Sequence, residues 1–136
     1  MFDGLTESWF ISKVEAAIQN EINKLPGLIT AKSDGLAHAI VMHQYRTDSF
    51  PFAKTDGKRL NPHIVAVQSV LTFIDSYRRG GSLIVNGEDC LGLLKIICLN
   101  LMKKLDEANV GTKELAYIER FSGPLFRKVF PELCAE

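Results

Sequence analysis

The stretch LITAKSDGLAHAIVMHQYR (Leu28–Arg46) decides the fold class, because it can be read in two ways. As a helix it is capped by Ser33 or Asp34, and Leu36, Ala37, Ile40, Val41 and Tyr45 form its apolar stripe. As strands, LITAK and HAIVMHQY flank SDGLA, and Ser33-Asp34-Gly35 makes the turn. We prefer the helix, since Ala37 and Ala39 suit it and the apolar residues lack clean alternation. The expected fold is therefore all-α: a single-domain bundle of about five helices spanning residues 1–136. The alternative is α+β, with a small hairpin at 28–45 and SLIV (82–85) as a third strand.

Working toward the amino terminus, Thr6 to Leu25 reads as an amphipathic helix. Phe10, Val14, Ala17, Ile18, Ile22 and Leu25 recur at three- and four-residue spacing, with Thr6 or Asp3 as cap and Pro26-Gly27 as stop. Toward the carboxyl terminus, Thr47 to Asn61 reads as a long loop, pinned by Phe50 and Phe52, with Lys54, Lys58 and Arg59 in water.

Asn61-Pro62 opens the next helix, as cap and first helical residue. Ile64, Val67, Val70, Leu71, Ile74 and Tyr77 line one side of it, and Val65 and Phe73 widen that side. Arg78-Arg79 fall in its last turn, and Gly80 stops it. A further helix is expected from about Glu88 to Ala108. Between Leu91 and Met102 it is interrupted only by Gly92, Lys95 and Asn100, so it is expected to be the central post of the bundle or one face of an oligomer. Asn109 and Gly111 close it. Thr112 caps a shorter helix bearing Leu115, Ile118 and Phe121, and Ser122-Gly123-Pro124 breaks that one. A last turn or two carries Phe126, Val129 and Phe130 up to Pro131.

Composition bounds the function. Of 136 residues, 46% are hydrophobic and 24% charged, which excludes a disordered chain. Sixteen basic residues balance sixteen acidic ones. A neutral chain lacks the positive field that coating nucleic acid or an anionic membrane requires. Three cysteines (Cys90, Cys98 and Cys134) form no CxxC pair, and an odd count fits a reducing cytoplasm. MFDGLTESWF has neither the charged start nor the apolar middle of a signal peptide, and Cys90–Met102 is too short and polar to cross a bilayer.

The segment YRRGGSLIVNGED (Tyr77–Asp89) invites comparison with a phosphate loop, but its order is reversed. Gly80-Gly81 follow a helix, and at the junction that does enter one, Glu88 and Asp89 would repel an anion. A helix stop and a helix start joined by a short extended piece is the plainer reading. His38 and His43 lie about 140° apart around a helix, so they do not share a metal, and no HExxH occurs. Cys98, among leucines and isoleucines, reads as a buried hydrophobe. Cys90 is the one cysteine with access, yet its acidic neighbours oppose a thiolate. Carboxylate pairs such as Glu88/Asp89 and Asp106/Glu107 read as solvated helix faces, and no serine elbow is present. The helix after Gly80-Gly81 is too apolar to enter a DNA groove. LFRKVF (Leu125–Phe130) reads as a terminal helix whose aromatics close the core.

No catalytic set, metal site or cofactor is assigned. The function expected is a non-enzymatic protein-interaction module: a regulator, inhibitor, or immunity- or chaperone-type accessory protein. Its partner-binding residues are Arg78, Arg79, Lys54, Lys58 and Arg59, its partner is another protein with an acidic surface, and self-association into a homodimer is a further option. The alternative is a small-molecule-binding protein or small enzyme with a pocket between helices supplied by Tyr45, His63, Tyr77 and Cys90. A DNA-binding regulator is the weaker third reading. No membrane partner is expected, and nucleic acid is disfavoured.

Overall fold

The structure is a computed structural model and describes residues 2–25, 35–47, 54–55, 58–59, 62–85, 87–107 and 123–134. The elements are α1 (Phe2–Asn23), α2 (Leu36–Thr47), β1 (Lys54–Thr55), β2 (Lys58–Arg59), α3 (Pro62–Tyr77), β3 (Ile84–Val85), β4 (Glu88–Asp89), α4 (Leu91–Glu107), α5 (Gly123–Val129) and α6 (Pro131–Cys134). The fold is an all-α helical bundle, and its strands are two antiparallel hairpins of two-residue strands. The helix centred on Thr112–Phe121, the stops at Pro26-Gly27 and Asn109–Gly111, the cap at Asn61 and the anchors Phe50 and Phe52 lie outside the described residues.

In α1 Phe10, Val14, Ala17, Ile18 and Ile22 of the expected stripe are buried, while the helix ends at Asn23 and Leu25, beyond it, is half-buried. Each of the four larger side chains, Phe10, Val14, Ile18 and Ile22, stabilises the fold by roughly 1.5–3 kcal/mol relative to exposure. The helix begins at Phe2, so Asp3 and Thr6 lie inside it rather than capping it.

Leu36–Thr47 is helical, so the hairpin alternative for this segment does not form. Gly35, at φ +80°, precedes the helix and accepts the Ala39 amide at 2.8 Å. Leu36, Ala37, Ile40 and Val41 are buried as expected, but Tyr45 is not. It is 40% exposed, and Gln44 takes the inward place. The reason is rotation: Ala37, Val41 and Gln44 stack at four- and three-residue steps, and Tyr45 falls about 100° beyond them.

The central helix is α3, not the Glu88–Ala108 segment. Every residue from Ile64 to Leu71 is buried, as are Phe73 and Ile74, and α1, α2, α4 and α5 all pack on this helix. No charged side chain occurs between Pro62 and Ile74, so α3 has no face that prefers water. By contrast α4 carries Lys95, Lys103 and Lys104. It buries Leu94, Ile97, Cys98, Leu101 and Leu105 and leaves Ile96 and Leu99 exposed.

The corner between α3 and α4 is built from YRRGGSLIVNGED. α3 ends at Tyr77 rather than at Gly80, which at φ +61° lies in the turn between Arg79 and Ser82; these two exchange backbone hydrogen bonds, and Leu83 is fully buried. Ile84 and Val85 then pair with Asp89 and Glu88, with Gly87 at φ +83° in the turn. Glu88 and Asp89 are therefore strand residues, and α4 starts at Leu91 instead of about Glu88. Asp89 Oδ1 accepts the amides of Leu83 (3.0 Å) and Leu91 (3.1 Å), and these bonds hold its carboxyl below the usual carboxylate range.

At the carboxyl end Gly123-Pro124 open α5 rather than only breaking the preceding segment, since proline fits the first helical turn. Pro131 opens α6 in the same way. Val129 and Phe130 are buried, and Phe126 stacks on Phe130 at 4.7 Å. Ion pairs Lys128–Asp75 (3.1 Å) and Lys95–Glu132 (2.9 Å) tie this end to α3 and α4.

Candidate functional site

Between α2 and the last turns of α3 lies an open groove of about 510 Å³. One side of α2 supplies His38, Met42, His43 and Arg46, and α3 supplies Phe73 and Tyr77, one turn apart. The inward stripe of α2 packs on the core, which leaves this adjoining side to form the groove wall.

His43 is the hub. Its Nε2 lies 3.1 Å from Ser76 Oγ and its Nδ1 3.3 Å from Tyr77 Oη, while its ring meets Phe73 and Tyr77 edge-on at centroid distances of 5.9 and 4.9 Å. Burial pushes the imidazole below its ordinary pKa, so the ring is mostly neutral at pH 7. A neutral ring carries one N–H and therefore donates to one hydroxyl and accepts from the other. The Ser76–His43 spacing suits a nucleophile and its base, but the place of an orienting carboxylate is taken by a phenol. Ser76 also sits in the final turn of α3, where the helix presents carbonyls instead of the amides that would stabilise an oxyanion.

Among the described residues, two acids beside the groove are already engaged. Glu15 lies 2.8 Å from His38 Nδ1, and Asp75, beside Ser76, pairs with Lys128 at 3.1 Å. Among the described residues, no hydrogen bond or ion pair engages Arg46, which is exposed.

Of the four residues expected to supply a pocket, Tyr77 lines this groove and the other three stand elsewhere. Tyr45 is on the exposed side of α2. His63 sits in the first turn of α3, about 20 Å of helix from Tyr77. There it joins a different polar cluster. Burial lowers its pKa, Lys104 lowers it further, and Glu21 opposes them. Glu21 itself is buried and accepts from Lys104 at 2.9 Å and Lys24 at 3.2 Å. Burial alone would raise its pKa, but the two lysines outweigh that and hold it below the ordinary value. Cys90 lies at the head of α4, buried, its thiol pushed up first by burial and then by the charges of Glu88 and Asp89. Cys98 is buried and pushed up to about 12.

The basic residues fall into two groups. Lys54, Lys58 and Arg59 lie on the β1–β2 hairpin, where Lys54 is opposite Arg59 and Thr55 opposite Lys58. Arg78 and Arg79 follow the last turn of α3, which spans roughly 24 Å from the Pro62 end. Arg79 Nη1 reaches the carbonyls of Arg78 (3.3 Å) and Ser76 (3.5 Å), closing the helix end, and Arg78 lies within electrostatic reach of Glu132.

His43, Ser76 and Arg46 were not singled out from the sequence. The partners of His43 lie 33 and 34 residues away on another helix, a separation that carries no signal in the sequence. Among the described residues, no cluster of three or more His, Cys, Asp or Glu is placed to hold a metal, and no helix is long and apolar enough to cross a membrane. No protein-family model, curated protein or solved structure matches this chain.

Proposed function

We propose that this chain is a helical protein-interaction module, acting as a regulator, inhibitor, or immunity- or chaperone-type accessory protein by binding another macromolecule. The observation that carries this reading is the side of α4 turned away from α3. Ile96 and Leu99, one turn apart, are 43% and 39% exposed, and Leu133 on neighbouring α6 is 57% exposed. Large aliphatic side chains spaced one turn apart on a helix are anchors of the kind that partner helices and grooves cover. Lys95, bonded to Glu132, brings α6 alongside α4 and adds a polar edge to this face. Arg78 and Arg79 at the nearby corner, and Lys54, Lys58 and Arg59 on the first hairpin, favour an acidic partner surface, and a second copy of the chain is one candidate for it. The free thiols of Cys90 and Cys98, with the odd cysteine count, favour a reducing cytoplasm.

The test compares the wild type with the double variant Ile96→Glu/Leu99→Glu. Both positions are exposed, so thermal stability is expected to change by no more than about 0.5 kcal/mol. Proteins cross-linked to the wild type should be lost from the variant, or a concentration-dependent mass seen by light scattering should fall to that of one chain. Identical capture and identical mass for both forms would overturn the reading.

A further inference from the structure

We propose that the groove between α2 and α3 binds a small organic anion: a carboxylate or phosphate carried on a flat apolar body. Its residues are separate from the α4–α6 face, so this site and the interaction surface stand or fall independently.

Three features meet in the groove. The first is a positive charge. Arg46 lines the groove, is exposed, and has no hydrogen bond or ion pair among the described residues. A guanidinium offers a planar fork that matches carboxylate and phosphate oxygens. Among the described residues, Glu15 and Asp75 beside the groove are paired elsewhere, Glu15 with His38 and Asp75 with Lys128.

The second is a set of positioned polar groups. Ser76 and Tyr77 fix the His43 ring from both nitrogens, and its edge-on packing against Phe73 and Tyr77 restrains it further. Polar groups locked before a ligand arrives lose little entropy when it binds. The third is an apolar surface for the body of the ligand. Met42 and Phe73 line the groove, and the Phe73 and Tyr77 rings lie 4.7 Å apart at a tilt of 41°. A concave, mostly apolar space with a few converging polar groups is the usual form of a small-molecule site. His38 at the rim, already paired with Glu15, narrows the choice to an anion whose charge lies near Arg46.

The experiment titrates the whole chain with benzoate and with phenyl phosphate, using benzyl alcohol as the uncharged match, and follows the side-chain NMR signals of His43 and Tyr77. At least one anion should shift both residues saturably, and the one that does identifies the preferred head group. Benzyl alcohol should leave them unmoved. In Arg46→Gln the anion affinity should fall by about tenfold or more, the loss expected for a charged hydrogen bond. The variant's unchanged amide spectrum elsewhere would show that it is folded. Silence from both anions at His43 and Tyr77, an equal response to benzyl alcohol, or full affinity in Arg46→Gln would each overturn the proposal.

Discussion

Two helices of this protein look alike in composition and behave differently. Both α3 and α4 are rich in aliphatic residues, and α4 has the denser run of leucine and isoleucine. Yet α3 is enclosed by four other helices, whereas α4 keeps one side in water. What separates them is charge. No ionised side chain interrupts α3 between Pro62 and Ile74, while Lys95, Lys103 and Lys104 fasten α4 to the surface. One or two lysines on a helix decide its place more firmly than several leucines, because a buried unpaired charge costs far more than an exposed leucine.

The contrast can be broken most forcefully by truncation. Ile74→Ala in α3 is expected to destabilise the fold by about 2–5 kcal/mol, the range for emptying a tightly packed core position. Leu99→Ala in α4 should change stability by no more than about 0.5 kcal/mol. Urea denaturation of both variants gives the answer, and similar losses would contradict the assigned centre of the bundle.

A second substitution tests how α4 is held at its carboxyl end. Glu21→Gln removes the charge that Lys104 and Lys24 share, with an expected loss of roughly 1–3 kcal/mol at pH 7. The sign with pH follows from the depressed Glu21 pKa. The ion-pair contribution is complete above the ordinary carboxylate value of 4.5 and disappears as pH falls through the lower folded-state value. Denaturation curves of wild type and Glu21→Gln should therefore converge in acid, and a gap that persists at low pH would rule out this origin.

The smallest effect sharpens the account of α3. Ser69 is fully buried and, among the described residues, its hydroxyl has no hydrogen-bond partner, as is also true of both amide atoms of Gln44. Ser69→Ala removes an unsatisfied group and improves helix propensity, so thermal unfolding should show a gain of up to about 1 kcal/mol. A clear loss would mean that the hydroxyl is satisfied in solution, as by a buried water.

Much of this architecture was legible in the order of residues. The stripe through Phe10, Val14, Ile18 and Ile22 identified α1, and Pro62 marked the start of α3. Periodicity reports which face of a helix avoids water, and these faces did. It is a poorer guide to which helix lies innermost, since that depends on how several faces are shared. It also misassigned Tyr45 and Gln44, one residue apart at the edge of the stripe, where 100° of rotation separates core from solvent. The groove was less legible still. Tyr77 was expected to serve a pocket, but its grouping with His43, Ser76 and Arg46 depends on how α2 docks against the end of α3. The first hairpin escaped because two-residue strands leave no alternation to detect, and of the second only the SLIV strand was weighed, without its Glu88-Asp89 partner.

Asp89 ties two amides six and two residues away, so a single carboxylate closes the second hairpin and seats the start of α4 together. Surface turns ordinarily absorb insertions at little free-energy cost. Here, one added residue between Val85 and Glu88 would carry Asp89 out of register with the Leu83 amide while leaving it adjacent to Leu91. The turn is thus measured in length as well as in sequence, and its tolerance to change is that of the helix it begins.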